Sequence, residues 1–139
     1  MPKLNCIMLI DDNKDDNYVH KRVIKKSGVA ETVIVMDLAT KALEYLKSKE
    51  EHPHAHPDLI FLDIRMPLMN GWEFLDEYSK LDKEFQSTVV ITMLTTSTDP
   101  DDKTKALSYN IPIDFRTKPL TEEMLEEIIV EYFSAATNS

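Results

Sequence analysis

Five short apolar runs alternate with five segments of helical spacing, and this alternation limits the possible folds more than any other property of the chain. The runs span approximately residues 5–10, 32–36, 58–62, 88–94 and 112–117. They are nearly continuous rather than alternating, which is how parallel strands read when both faces of a sheet are covered. Between them apolar residues recur at helical intervals: Val19, Val23 and Ile24; Leu38, Ala42, Leu43 and Leu46; Phe74, Leu75, Tyr78 and Leu81. A fourth helical segment opens at Asp99-Pro100, a capping residue before a proline at the first helical position, and runs through Ala106 and Leu107. The fifth begins with Thr121, Glu122 and Glu123, whose charges suit a helix N-terminus, and offers Leu125, Ile128, Ile129, Tyr132 and Phe133 for burial. Strand and helix in strict succession predict an α/β fold, a doubly wound parallel sheet with right-handed crossovers and helices on both faces.

The chain's 139 residues suit one domain with a sufficient core, and residues 1–139 are expected to form that domain with no output domain attached. A single cysteine, Cys6, rules out an intrachain disulfide framework and points to a reducing, cytoplasmic setting. No stretch approaches the roughly eighteen apolar residues of a membrane span. The formal charge of -9 argues against nucleic acid as a partner, because phosphate contact needs a basic face.

In an open parallel sheet the working site lies outside the carboxyl ends of the strands. Here the first run ends in Asp11 and Asp12, the third in Asp63, the fourth in Thr95 and Thr96, and the fifth in Lys118-Pro119. The rule therefore gathers three carboxylates, a hydroxyl and an ammonium at one rim. Two carboxylates about 4 Å apart repel by roughly 4 kcal/mol at an effective dielectric near 20, a repulsion that a divalent cation relieves. Hard oxygen donors of this kind suit magnesium, which keeps several waters and is commonly held by one or two carboxylates together with phosphate oxygen.

With "LIDDN" at residues 9–13, "DLIFLDIRMPLMNGWEFL" at 58–75, "LTTS" at 94–97 and "TKPL" at 117–120, the chain resembles the receiver domain of two-component response regulators, in particular the single-domain chemotaxis type. The resemblance covers essentially the whole chain and implies a flavodoxin-like five-stranded sheet of order 2-1-3-4-5 with five helices. It implies that Asp63 is the phosphoacceptor, taking a phosphoryl group from a sensor histidine kinase or a histidine phosphotransfer protein. Asp12 resembles a direct magnesium ligand, Asp11 a ligand through water, and Arg65 a ligand through its backbone carbonyl. Thr95 resembles the switch hydroxyl that bonds a phosphoryl oxygen, Lys118 the ammonium that pairs with another, and Lys118-Pro119 a cis bond. Such a protein is no enzyme beyond self-phosphotransfer and slow self-dephosphorylation, and its output is a surface that docks a downstream protein target.

The residue types suit that chemistry. Phosphoryl transfer is mainly positioning and charge neutralisation, and a carboxylate nucleophile is already ionised near neutral pH. Gly71, after Met66 and Pro67, is expected to give backbone freedom to the loop that follows Asp63. Two positions depart from the commonest pattern of the family. Thr96 brings bulk beside the switch position and leaves two adjacent hydroxyls as candidates, while Phe115 stands where many members carry tyrosine. The alternatives are a haloacid-dehalogenase-type phosphatase, disfavoured because Arg65 occupies the place of that family's second aspartate, and a receiver-fold docking module that works without phosphorylation. His52, His54 and His56 in "EEHPHAHP" read as a solvated loop, since a structural metal site ordinarily needs four ligands at recognisable spacing. His20 reads as a surface or packed residue.

Overall fold

The computed structural model of the chain describes residues 3–48, 56–81, 89–96, 99–109, 111 and 113–133. His52 and His54, and the outer ends of the fourth and fifth apolar runs, lie outside the described residues. The elements follow the predicted succession: β1 (Leu4–Ile10), α1 (Lys14–Ser27), β2 (Ala30–Met36), α2 (Ala39–Lys47), β3 (Leu59–Leu62), α3 (Gly71–Tyr78), β4 (Val90–Thr95), α4 (Pro100–Leu107), β5 (Ile113–Thr117) and α5 (Glu122–Tyr132). All pairings are parallel, and the sheet order is β2-β1-β3-β4-β5.

Successive residues of a strand point to opposite faces, and the central strands use both. Met8, Ile10, Ile60 and Leu62 face one way, onto Ala42, Leu43 and Leu46 of α2, Phe74, Leu75 and Tyr78 of α3, and Ala106 of α4. Ile7, Leu9, Leu59 and Phe61 face the other way, onto Ile24 of α1 and Leu125, Ile128 and Ile129 of α5. Double coverage explains the continuous apolar runs of β1, β3 and β4. The edge strands β2 and β5 are only half-buried, because each has a neighbour on one side alone.

The helices start where the chain carries capping groups. Asn13 Oδ1 accepts from the backbone N–H groups of Asp15 and Asp16 at 3.0 and 3.1 Å, and Gly28 closes α1 in the left-handed region at φ 70°. Asn70 and Glu73 form a capping box on α3, Asp99 caps α4 ahead of Pro100, and Thr121 caps α5. Periodicity misjudged three details. Val19 is 46% exposed, and the inward face of α1 is Asn17, His20 and Ile24, with Val23 half-buried. Leu107 is 73% exposed on α4, while Tyr132 and Phe133 at the end of α5 are half-buried. On α1 the first turns lie beside the polar strand ends, and α4, with eight residues, has few turns to meet the core.

Candidate functional site

Backbone hydrogen bonds between neighbouring strand ends bring the polar residues together. Asp11 N–H donates to Met36 O at 3.1 Å, Asp63 N–H to Ile10 O at 3.0 Å, and Lys118 N–H to Thr95 O at 2.8 Å. Each of these extends a strand pairing by one residue beyond the regular ladder, so the side chains leave the sheet at a common edge. Carboxylate oxygens of Asp11, Asp12 and Asp63 lie within 4.8 Å of one another, with the side chains of Asp11 and Asp63 largely buried and Asp12 exposed. Lys118 Nζ reaches into the same cluster, 2.7 Å from Asp11 Oδ2 and 3.4 Å from Asp63 Oδ1.

The loop after Asp63 is held close by Gly71. A Cβ there would stand 2.6 Å from the Asp63 carbonyl oxygen and 3.0 Å from Ile64 Cα, and Gly71 N–H donates to Ile64 O at 2.8 Å. The glycine is thus required by close approach, which corrects the expectation of backbone freedom. The left-handed residue of the loop is instead the exposed Leu68, at φ 69°. Arg65 lines a shallow surface recess with Asp12, Ile64, Met66, Pro67 and Asn70, and its side chain is exposed. Thr95 is buried at the last residue of β4 and Thr96 is exposed; Phe115, paired in register with Met93, is half-buried on the side of the sheet covered by α2, α3 and α4. The Lys118-Pro119 bond is cis.

Electrostatics in the cluster are strained. Burial, and next the charge of Asp11, lift the Asp63 carboxyl from its ordinary 3.8 to about 6, against the opposing attraction of Lys118. Burial disfavours the Lys118 ammonium, but its hydrogen bonds to Asp11 and Asp16 and the charges of Asp11 and Asp63 outweigh that and hold it above its ordinary range. Three hard carboxylate oxygens converge where one side of the cluster, at Asp12, is open to water, a donor set that fits a partly hydrated magnesium ion.

Three residues that the strand-end rule does not select also face the site. Asp16 Oδ2 lies 2.7 Å from Lys118 Nζ. Asn17 Nδ2 donates to Asp11 O at 2.8 Å, while its buried Oδ1 has no hydrogen-bond partner among the described residues. His20, 3% exposed, lines a small cavity with Asp11, Asn17 and Asp63 and is held below its ordinary 6.5 by burial and then by the charge of Lys118. The only sequence signal for them was polarity at positions 13, 16, 17 and 20, which share one face of a helix.

The family model for the response regulator receiver domain matches residues 7–130. A probable methanogenesis regulatory protein, FilR2, from Methanothrix harundinacea is 28% identical over 90% of this chain and 79% of that protein. The response regulator Rcp1 of Synechocystis sp. is 31% identical over 69% of this chain and 65% of its own length. Other relatives are longer: the chain spans 28% of the response regulator mcs4 of Schizosaccharomyces pombe and 7% of a hybrid signal transduction histidine kinase of Dictyostelium discoideum. Among solved structures, a two-component response regulator from Cytophaga hutchinsonii superimposes with a TM-score of 0.84 at 26% identity, covering 93% of this chain and 96% of that one. A receiver protein from Dyadobacter fermentans gives 0.81 at 26% identity, covering 92% and 97%. Strand order, convergent strand ends and these matches agree, and the chain belongs to the response regulator receiver domain family of two-component signalling.

Proposed function

We propose that this receiver accepts a phosphoryl group on Asp63, with magnesium, from a phosphohistidine of a sensor kinase or a histidine phosphotransfer protein. The observation that carries the reading is the convergence of Asp63 with Asp11 and Asp12 on one side and the Lys118 ammonium on the other. An Asp63 carboxylate oxygen forms the new bond to phosphorus as the donor's nitrogen–phosphorus bond breaks, and the electron pair leaves on the imidazole nitrogen. Near neutral pH Asp63 is largely ionised despite its raised pKa, so no general base is needed. Lys118 donates to a phosphoryl oxygen and offsets its charge. Asp11, Asp12 and Asp63, with the backbone carbonyl of Arg65, would hold magnesium, which when bound would supply charge neutralisation at the transferring group. A phosphatase of the haloacid-dehalogenase type is disfavoured because Arg65 provides no general acid two residues after the nucleophile.

The signal leaves through Thr95 and Phe115. The Thr95 hydroxyl moves to the phosphoryl group, and Phe115 turns inward into the space vacated beneath β4 and α4. A ring without a hydroxyl loses no hydrogen bond on burial. The face made by α4, β5 and α5 then changes shape for a downstream target. The setting is the cytoplasm, where the buried Cys6 thiol, pushed up to about 12 by burial and then by the charge of Asp58, serves packing alone. Among the described residues no helix is long and apolar enough to cross a membrane. The test is intact-mass measurement after treatment with acetyl phosphate and magnesium. Wild type gains one phosphoryl group and Asp63→Asn gains none; a modified Asp63→Asn protein refutes the assignment.

A further inference from the structure

Asp16 sits in the first turn of α1, away from any strand end, yet it is as close to Lys118 Nζ as Asp11 is. Both carboxylates stand at 2.7 Å and Asp63 at 3.4 Å, so the ammonium is drawn toward α1 rather than toward Asp63. The Asp16 backbone N–H is held by Asn13 Oδ1 at 3.1 Å, which places the residue on a capped, regular turn. An ammonium has three N–H donors, and three carboxylates face this one. Phosphorylation turns the Asp63 carboxylate into an acyl phosphate, and to approach its phosphoryl oxygens the ammonium has to draw away from its two shortest contacts, Asp11 and Asp16. Those two side chains differ in what release costs them: Asp11 is 7% exposed and Asp16 34%. A buried carboxylate that loses its cation is left uncompensated, whereas Asp16 can take up water in exchange.

We infer that Asp16 is a positioning residue that acts through Lys118, holding the ammonium back from Asp63 in the unphosphorylated protein and releasing it when a phosphoryl group arrives. The inference rests on Asp63 being the phosphoacceptor. With acetyl phosphate as donor, an Asp63 oxygen bonds to phosphorus, the donor's oxygen–phosphorus bond breaks and acetate leaves with the electron pair; Asp16 makes and breaks no covalent bond. Its effect is a threshold, since part of the interaction of Lys118 with the phosphoryl group is spent in separating it from Asp16.

The test compares wild type with Asp16→Asn, which keeps the shape and removes the charge. With magnesium and limiting acetyl phosphate, intact-mass time courses are expected to show Asp16→Asn phosphorylated about fivefold faster, a gain scaled down for the partial exposure of the carboxylate. In metal-free protein without donor, the ammonium nitrogen resonance of Lys118 is expected to shift on the same substitution, reporting loss of the ion pair. Asp16→Asn is expected to give no acceleration in a Lys118→Arg background, a result that a structural role for Asp16 independent of the ammonium would not produce. Wild type modified at Asp63 with Asp16→Asn modified at the same or a lower rate overturns this inference and leaves the receiver reading intact. An unmoved Lys118 resonance overturns it as well. Wild type that takes up no phosphoryl group overturns the receiver reading and this inference together.

Discussion

Replacing Asp63 by asparagine is expected to stabilise the metal-free protein, and the size of the gain follows from the geometry. Asp63 is 11% exposed at its side chain, shares the site with the buried Asp11, and is neutralised only in part by Lys118 at 3.4 Å. Its carboxyl is held at about 6 instead of 3.8, so near neutral pH the folded state carries a cost of ~3 kcal/mol. The sign follows from proton binding. Between pH 4 and 6 the folded state binds more proton at Asp63 than the unfolded state, so this contribution to stability falls as pH rises through that window. His20, buried and held below its ordinary 6.5, binds less proton when folded and slopes the other way. The difference between variant and wild type removes that opposing slope. Urea denaturation without metal at a series of pH values should show Asp63→Asn more stable by about 3 kcal/mol at pH 7, the gap closing toward zero by about pH 3.5. Magnesium should narrow the gap at pH 7 by stabilising wild type. A variant that is no more stable than wild type at pH 7, or a gap independent of pH, refutes the argument that the carboxylates are in conflict.

Asp12→Ala should abolish the stabilisation that magnesium gives wild type in denaturation curves, while leaving metal-free stability within about 0.5 kcal/mol, because Asp12 is exposed. Gly71→Ala places a methyl group 2.6 Å from the Asp63 carbonyl and should cost about 1–3 kcal/mol, measured by denaturation, with amide shifts at Asp63 and Ile64 reporting the displacement. Thr95→Ala should still be modified at Asp63 by acetyl phosphate. With beryllofluoride, however, its amide shifts should stay near the site and not reach Phe115 and α5, whereas those of wild type should.

Much of this protein is legible in the sequence. The type and succession of the elements follow from apolar runs and helical spacing, and the positions of Asp11, Asp12, Asp63, Thr95 and Lys118 follow from one rule, since every strand of a parallel sheet ends at the same edge. Caps at Asn13, Asn70, Asp99 and Thr121 are local as well, because a cap acts within three residues of itself. What periodicity could not reach is how the elements meet. The inward face of α1 is polar at Asn17 and His20 because its first turns lie over the charged strand ends, so a search for apolar residues selected Val19 instead. Gly71 is required by a carbonyl eight residues earlier in the chain, and Asp16 finds its cation 102 residues away. Hydrophobic pattern records which side of an element avoids water. Which charge faces which depends on the angle and height at which separate elements pack, and that is decided only when the chain is folded.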